Sequence, residues 1–283
     1  MSRIPFSQVL KNASIDLRRE YDRLYSLFYL QTFQINQTSS TNLRDYCATH
    51  FVSFPFRGTC VSLDDFDEFY GHHYEKTPKD IDQDYLVSFC EYIYNILYYS
   101  RGIGYNGLGF IQAFDLSEPI QFCLQQVLRV IEAIGYMPNV QDGITDFAPK
   151  NQASISVAEI VDSDLSYKVI EYNHHSMKGD LERKKSILLT LADKLEPQRG
   201  KLKQINSSLE SDLFYLLNTV NIRHNNSEPE GTKYNKVVAK MSKDSIEKWY
   251  DDIYQMCLLA FMELDNAERK GRVKELKKRI SEQ

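Results

Sequence analysis

Residues 223–226 combine side chains that suit acid–base chemistry on a phosphate. They read Arg-His-Asn-Asn and follow an apolar run, 213–222, at the point where a helix would end. A ribonuclease that uses no metal needs a base for the 2′-hydroxyl and a cation for the charge that develops on the phosphate. In this interpretation Arg223 stabilises the phosphate charge, His224 is the base, and Asn225 and Asn226 orient the substrate.

The same four residues are also typical of a helix end. Asn and His tolerate left-handed backbone and can satisfy the last carbonyl groups of a helix. Arg and His near a helix C-terminus also oppose its dipole. The sequence leaves both interpretations open, and geometry separates them. A catalytic Arg223 would converge with His224 and another imidazole on an open cleft, whereas a structural Arg223 would be buried in a salt bridge with Glu or Asp.

Two further histidines could supply that second imidazole. His174 and His175 precede a helix predicted from Asp180, and in an antiparallel bundle their turn could lie near the far end of a neighbouring helix. Adjacent residues on a helix point about 100° apart, so a His-His pair is poorly placed to chelate one metal ion. The sequence has neither HExxH nor CxxC spacing, and we therefore expect no metal and no cofactor.

A basic helical hairpin is the candidate surface for RNA. Residues 178–203 hold eight Lys or Arg residues against four Asp or Glu residues. Arg183, Lys184 and Lys185 form its densest group, and they are predicted to bind RNA or to shape the site. A solvated helix face is the alternative interpretation of the same residues.

The composition bounds the class of protein. The chain has 283 residues, a net charge of -5 and five scattered cysteines. A protein that coats nucleic acid would need a concentrated excess of Lys and Arg, which this sequence lacks overall. Scattered cysteines favour free thiols in a reducing compartment. The sequence shows neither a secretory signal nor a long apolar span, so we expect a cytoplasmic protein without a membrane partner.

Periodic apolar residues predict a mainly all-α fold. Helices are predicted at 14–33, 43–51, 84–100, 121–135, 155–172, 180–195, 209–222 and 244–265, with a charged tail as an exposed helical continuation. A small hairpin is predicted near 136–147, with Asp142-Gly143 as its turn. The predicted organisation is an N-terminal helical domain at 1–100, a Gly-rich linker at 101–115 and a helical bundle at 116–283.

Several segments together resemble the AbiJ N-terminal/HEPN-like helical family of bacterial abortive-infection proteins. They are "IPFSQ", "LRREYDRLY", "FCEYIYNIL", "GDLERKKSILLTLADKLEP", "LLNTVNIRHNN" and "WYDDIYQMCLLAFMELD". The resemblance implies a two-part helical protein of phage defence, with a HEPN-like bundle that forms a homodimer and acts on RNA without a metal. A protein partner or the product of a neighbouring gene would complete such a system.

The sequence departs from the HEPN pattern at one position. Such bundles carry an arginine, a polar residue and then a histidine a few residues further on. Arg223-His224 matches the first half, but Glu228, Pro229 and Glu230 stand where the later histidine should fall. The alternative is therefore a non-enzymatic helical interaction or regulatory module of a defence or toxin–antitoxin system. Arg44-Asp45, followed by His50, is a second place with similar spacing, of a kind expected by chance in a chain of this length.

Overall fold

The computed structural model describes residues 15–35, 38–72, 74, 78–101, 116–230 and 233–282. The protein is mainly helical, which confirms the predicted all-α class, and two short two-stranded sheets are its β-structure within those residues. The chain divides into two compact units, Met1–Phe147 and Ala148–Gln283. Within the described ranges, no helix has both the length and the apolar character that crossing a bilayer requires.

The N-terminal unit is built around one buried helix. Its elements are α1 (Leu17–Tyr25, continued by a π-helical turn, Ser26–Leu30), β1 (Phe33–Gln34), β2 (Ser40–Thr41), α2 (Leu43–His50, followed by a 3-10 turn, Phe51–Ser53), α3 (Leu63–Tyr70), α4 (Gln83–Ser100), α5 (Ser117–Ala133), β3 (Tyr136–Gln141) and β4 (Ile144–Pro149). The first helix begins after Asp16, whose side chain accepts a hydrogen bond from Arg19 N at 3.1 Å.

Helix α4, predicted at 84–100, is the central helix of this unit. Asp82 caps it by accepting a hydrogen bond from Tyr85 N at 2.8 Å. Its apolar residues cover nearly the whole circumference, so α1, α2 and α5 can all pack against it. The apolar core of this unit continues from α1 through α4 to α5 and Phe147.

The hairpin of β3 and β4 forms as predicted, with its turn at Asp142 and Gly143. Both turn residues have positive φ, 53° and 81°, which is the geometry of a tight two-residue hairpin turn. Three polar residues one helical turn apart on α4 hold the hairpin. Asn95 exchanges two hydrogen bonds with the Thr145 backbone (2.8 and 2.9 Å), Glu91 accepts one from Phe147 N (2.7 Å), and Tyr99 donates one to Gly143 O (3.1 Å).

These contacts place the division between the units later than the sequence suggests. The sequence assigns residues from 116 onward to the C-terminal bundle, but α5 and most of the hairpin belong to the N-terminal unit. The reason is that α5 completes the apolar surface of α4, while β4 satisfies its backbone groups on the polar face of α4. Apart from Arg101, the predicted linker at 101–115 lies outside the described residues.

The C-terminal unit is a helical bundle. Its elements are α6 (Gln152–Ala158), α7 (Ser163–Glu171), a 3-10 turn (His175–Met177), α8 (Leu181–Leu195, followed by a 3-10 turn, Glu196–Gln198), α9 (Arg199–Ile205), α10 (Ser207–Thr219), a 3-10 turn (Val238–Lys240) and α11 (Lys243–Ser281). The helix predicted at 155–172 is in fact two helices. Asp162 caps the start of the second helix by accepting a hydrogen bond from Leu165 N at 3.1 Å. The predicted continuous helix is therefore interrupted before this residue.

Helix α11 has two parts with different surroundings. Up to Leu264 it buries a regular series of apolar side chains in the bundle core, against α8, α9 and α10. Residues 269–282, which we call the C-terminal extension, are exposed along their whole length. The predicted exposed continuation of this helix is thus observed.

All five cysteines are buried free thiols. Cys257 lies in the core of the C-terminal unit, and burial raises the pKa of its thiol to about 12. Cys123 lies in the core of the N-terminal unit, where burial likewise raises its pKa to about 12.

Candidate functional site

Residues 223–226 lie in the loop that follows α10. The helix ends at Thr219, three residues before the end of the apolar run, because Val220 leaves helical geometry and Asn221 adopts a left-handed backbone with φ 56°. The left-handed residue reverses the chain, and Arg223 N then donates a hydrogen bond to Leu217 O at 3.0 Å. The local backbone is therefore a helix stop, as the structural interpretation of this stretch requires.

Arg223 points back towards the C-terminal end of α8. Its Nη1 lies 2.6 Å from Glu196 Oε2, and its Nη2 donates to Ala192 O at 3.3 Å. The guanidinium carbon is 5.4 Å from the centre of the Phe214 ring. Only 18% of the side chain is exposed. Arg223 thus pairs with a carboxylate and adds a second hydrogen bond to the Ala192 carbonyl, which already accepts the Glu196 N–H. These contacts fit the structural interpretation of this partly buried side chain.

Asn226 fastens the loop from inside. Its Oδ1 accepts a hydrogen bond from Asn221 N at 3.0 Å, while its Nδ2 donates to Asn218 O at 3.2 Å and to Lys233 O at 2.8 Å. The backbone N–H of Asn226 donates a hydrogen bond to Asn221 Oδ1 at 3.2 Å. The residue is 3% exposed. A buried carboxamide with these partners is engaged by the loop and does not face a substrate.

The two neighbours of Asn226 are more accessible. His224 is partly buried, and its carbonyl accepts the Asn226 N–H at 3.1 Å. Asn225 is exposed, and its Oδ1 accepts a hydrogen bond from the Ser227 hydroxyl at 3.1 Å. Of the four residues predicted here, Asn225 is the exposed one.

His174 and His175 lie at the opposite end of α8 from Arg223. His174 caps the 3-10 turn by accepting Ser176 N on Nδ1 at 3.2 Å, and its ring centre is 4.2 Å from that of His175. Arg183, in the first turn of α8, donates to Ser176 Oγ at 3.4 Å. Arg183 and Ala192 are separated by about 13 Å of helix axis. Within one C-terminal unit, the structure does not bring these histidines to Arg223.

The basic residues of α8 have different surroundings. Arg183 forms an ion pair with Glu171, through both Nε and Nη2. Lys185 is partly exposed on the outer side of the helix. Lys184 is 6% exposed, so the prediction that it contacts RNA conflicts with its burial. It faces the core because its position on α8 matches the buried apolar series that includes Ile187 and Leu191.

Lys184 is the centre of an ion-pair cluster between α8 and α11. Its Nζ lies 2.8 Å from Glu247 Oε1 and 2.7 Å from Asp251 Oδ1. Tyr172 Oη also donates to Asp251 Oδ1, at 3.0 Å. Sequence reasoning missed this cluster, and the one available signal was the spacing of Glu247 and Asp251, four residues apart on one helix face.

The charges of the cluster follow from its contacts. The Gly179 N–H and then the Lys184 ammonium lower the pKa of Glu247 below its ordinary value, so the carboxylate stays ionised. Burial, and then the Asp251 carboxylate, raise the pKa of Tyr172 far above its ordinary value, so its hydroxyl stays a donor. The cluster joins α8 to α11. Its one cation, Lys184, is paired with two carboxylates and is therefore not available to bind a polyanion.

A buried group of hydroxyls lies next to this cluster. Ser154 Oγ and Tyr254 Oη are 2.8 Å apart, and Asn173 Nδ2 donates to both at 3.0 Å. Tyr254 donates to Val169 O at 2.5 Å, and burial raises its pKa to about 12. Ser154 is fully buried. These side chains satisfy one another between α6, α7 and α11, and no substrate can reach them.

The second Arg-His spacing also lacks convergence. Arg44 pairs with Asp64 and, at 3.0 Å, with Asp67, which also accepts a hydrogen bond from Tyr92 Oη. Six residues later on the same helix, His50 Nδ1 lies 2.9 Å from Tyr46 O. At about 100° per residue, positions six apart on a helix point about 120° away from each other. The Arg44 and His50 side chains therefore leave α2 on different faces.

Comparison with protein-family models, with curated proteins and with solved structures found no match. The assignment of function therefore depends on the geometry of this chain. Among the described residues of the C-terminal unit, that geometry joins Arg223 and Asn226 to backbone and carboxylate partners, and it places the histidine pair elsewhere.

Proposed function

We propose that the chain is a helical interaction module and not a ribonuclease, and that the C-terminal extension of α11 is its binding surface. The phage-defence setting implied by the family resemblance remains a prediction within this proposal. The observation that carries the proposal is the occupation of Arg223 by Glu196 and Ala192. A guanidinium that binds a phosphate in a transition state must be available when the substrate arrives.

The other residues predicted for catalysis support the same choice. Asn226 uses its carboxamide within the loop, and His174 and His175 stand about a helix length from Arg223. His224 remains as a single partly buried imidazole beside the loop. Because the adjacent Arg223 is paired with Glu196, this imidazole lacks the free charge stabiliser that phosphodiester cleavage combines with a base.

The extension supplies a surface that lies outside the buried core of the unit. Residues 269–282 carry seven Lys or Arg residues and two Glu residues, with Val273, Leu276 and Ile280 50%, 58% and 64% exposed. Its ion pairs, Arg269 with Asp265 and Lys278 with Glu282, are internal to the helix. A helical surface with exposed branched apolar residues is typical of a binding site for a partner.

Two measurements on the full chain test this proposal. Purified wild type and His224→Ala are incubated with poly(U) and with a structured RNA in the presence of EDTA, and neither should cleave. Cleavage by the wild type that disappears in His224→Ala would overturn the proposal. A variant with Val273→Ala, Leu276→Ala and Ile280→Ala should have a free energy of unfolding within about 0.5 kcal/mol of the wild-type value, since substitutions at exposed positions rarely change stability by more. A larger loss would make the extension a structural element.

A further inference from the structure

We infer, on the basis of the proposed function, that the C-terminal extension binds an acidic amphipathic helix of a partner protein as a two-stranded coiled coil. The proposal concerns α11 from Leu259 onward and names the chemistry of the partner: apolar residues in a heptad seam, with Glu or Asp beside it. Three observations carry it: the spacing of the seam, the residue types within it and the charges along its edges.

The seam has an alternating three- and four-residue spacing. It runs through Leu259, Met262, Asn266, Arg269, Val273, Leu276 and Ile280. In heptad notation Leu259, Asn266, Val273 and Ile280 occupy a positions, and the other three occupy d positions. Side chains at this spacing form one stripe along a helix, and a second helix can cover it by knobs-into-holes packing. Leu259 is 42% exposed, and Met262 is partly buried against the core of the bundle, so the stripe starts at the bundle and continues along the extension.

The residue types in the seam favour two strands. Branched residues at a, here Val273 and Ile280, together with leucine at d, here Leu276, favour a parallel dimer of helices. Asn266 at an a position is the kind of polar residue that fixes register in such pairs, at some cost in stability. Arg269, at a d position, is paired with Asp265 of its own helix. The apolar part of the seam is thus concentrated in residues 273–280.

The charges beside the seam select the partner. The e and g positions of the extension are Lys270, Arg272, Lys277 and Arg279, all of them basic. In a pair of identical chains aligned over the extension, Arg272 would face the second copy's equivalent of Lys277 if the helices are parallel, and basic residues would also meet if they are antiparallel. The e and g residues before the extension, Glu263 and Asp265, would meet these cations only in a pair that reaches back to the bundle. Like charges at these positions disfavour a second copy, whereas Glu or Asp on another helix would form ion pairs.

The apolar stripe separates this partner from other polyanions. An RNA strand or an anionic lipid surface would be attracted by all the cations, including Lys274 and Lys278 on the far side of the helix. A helix that fits the seam would use the e and g cations and leave those two in solvent. Charge changes beside the seam should weaken binding of the acidic helix more than changes on the far side of α11. For RNA or an anionic lipid surface, the same number of changes on either side should weaken binding equally.

The probe is a labelled synthetic peptide that spans the same heptads, with Val or Ile at a, one matching Asn at a and Leu at d, and with Glu at the e and g positions that face Lys270, Arg272, Lys277 and Arg279. Its own glutamates prevent it from pairing with itself. Fluorescence anisotropy with the full-length protein should show saturable binding. A peptide with Gln in place of Glu should bind about tenfold more weakly, as expected from losing several ion pairs.

Two double variants with the same net charge provide the matched comparison. The double variant Lys277→Glu with Arg279→Glu changes one e and one g position, respectively. It should weaken binding of the acidic peptide on the order of tenfold or more. The same variant should gain binding to a peptide with Lys at e and g. Lys274→Glu with Lys278→Glu changes the far side, and it should bind the acidic peptide within about threefold of the wild type. Leu276→Ala should weaken binding at least about tenfold.

Two outcomes would overturn the inference. One is no saturable binding of the acidic peptide. The other is tighter binding to poly(U), or to phosphatidylcholine vesicles that contain phosphatidylserine, with the two double variants weakened equally. Either result would leave the broader interaction-module proposal in place as long as the RNA cleavage test stays negative. His224-dependent cleavage would instead remove the broader proposal, whatever the peptide does.

Discussion

Replacing Asn226 by Ala removes the side chain that closes the loop after α10. The change leaves three backbone groups without their partner: the N–H of Asn221 and the carbonyls of Asn218 and Lys233. A buried polar group that loses its hydrogen bond costs about 1–3 kcal/mol. Lys233 is exposed, so water can replace part of that loss there. We therefore expect Asn226→Ala to lower the free energy of unfolding by about 2–4 kcal/mol.

The assay can be confined to the C-terminal unit. Trp249 is the single tryptophan of the chain and lies on α11. Its fluorescence during urea denaturation therefore reports on that unit, and a lower midpoint with an unchanged slope measures lost stability. The exposed neighbour Asn225 supplies the control, because Asn225→Ala should stay within about 0.5 kcal/mol of the wild type.

Asn226→Asp sharpens the test, since it preserves the shape of the side chain. The remaining oxygen can still accept the Asn221 N–H, but the second oxygen would face the carbonyls of Asn218 and Lys233. Near neutral pH this variant should be at least as unstable as Asn226→Ala. If both variants unfold like the wild type, the carboxamide does not fasten the loop, and its role as a substrate-orienting group becomes the better explanation.

Three other expectations follow from contacts already described. Arg223→Lys keeps a charge near Glu196 but loses the second donor, so Trp249 fluorescence in urea should show a loss of about 1 kcal/mol; an unchanged midpoint would contradict the clamp. Glu247→Gln should cost about 1.5–3 kcal/mol at neutral pH. Since the folded pKa of Glu247 lies below its ordinary 4.5, this difference should be complete above pH 4.5 and shrink as the pH falls below it, and a difference independent of pH would refute the assigned cause. Gly143→Ala should destabilise by about 1–3 kcal/mol in thermal melts followed by far-ultraviolet circular dichroism, because φ is 81° and the new Cβ would collide with the Tyr99 hydroxyl; an unaffected melt would contradict the hairpin geometry.

Local sequence signals were sufficient for several of the elements. The apolar residues of 84–100 recur at helical spacing and predict α4 almost to its ends. Asp142-Gly143 predicts the hairpin because both residues accept positive φ, and Asp180 predicts the start of α8 because its side chain accepts the Arg183 N–H. In each case the deciding interaction lies within a few residues of the signal.

Interactions between distant residues could not be predicted in this way. Arg223 and Glu196 are 27 positions apart, and no local pattern pairs them. Lys184 is one of three adjacent cations in the sequence, and only the position of α11 reveals that it is buried against Glu247 and Asp251. The hairpin joins the N-terminal unit because Asn95, on α4, satisfies the Thr145 backbone. For these residues the tertiary arrangement determines the role, and the amino-acid type does not.

The buried thiols make the stability of each unit measurable by covalent labelling. A thiol-specific reagent attacks the thiolate, and it can reach Cys257 only when the C-terminal unit opens. Cys123 gives the same readout for the N-terminal unit. Mass spectrometry of peptides after timed labelling in native buffer would give two opening free energies from one sample. The opening of each unit could thus be followed without denaturant and without separating the units.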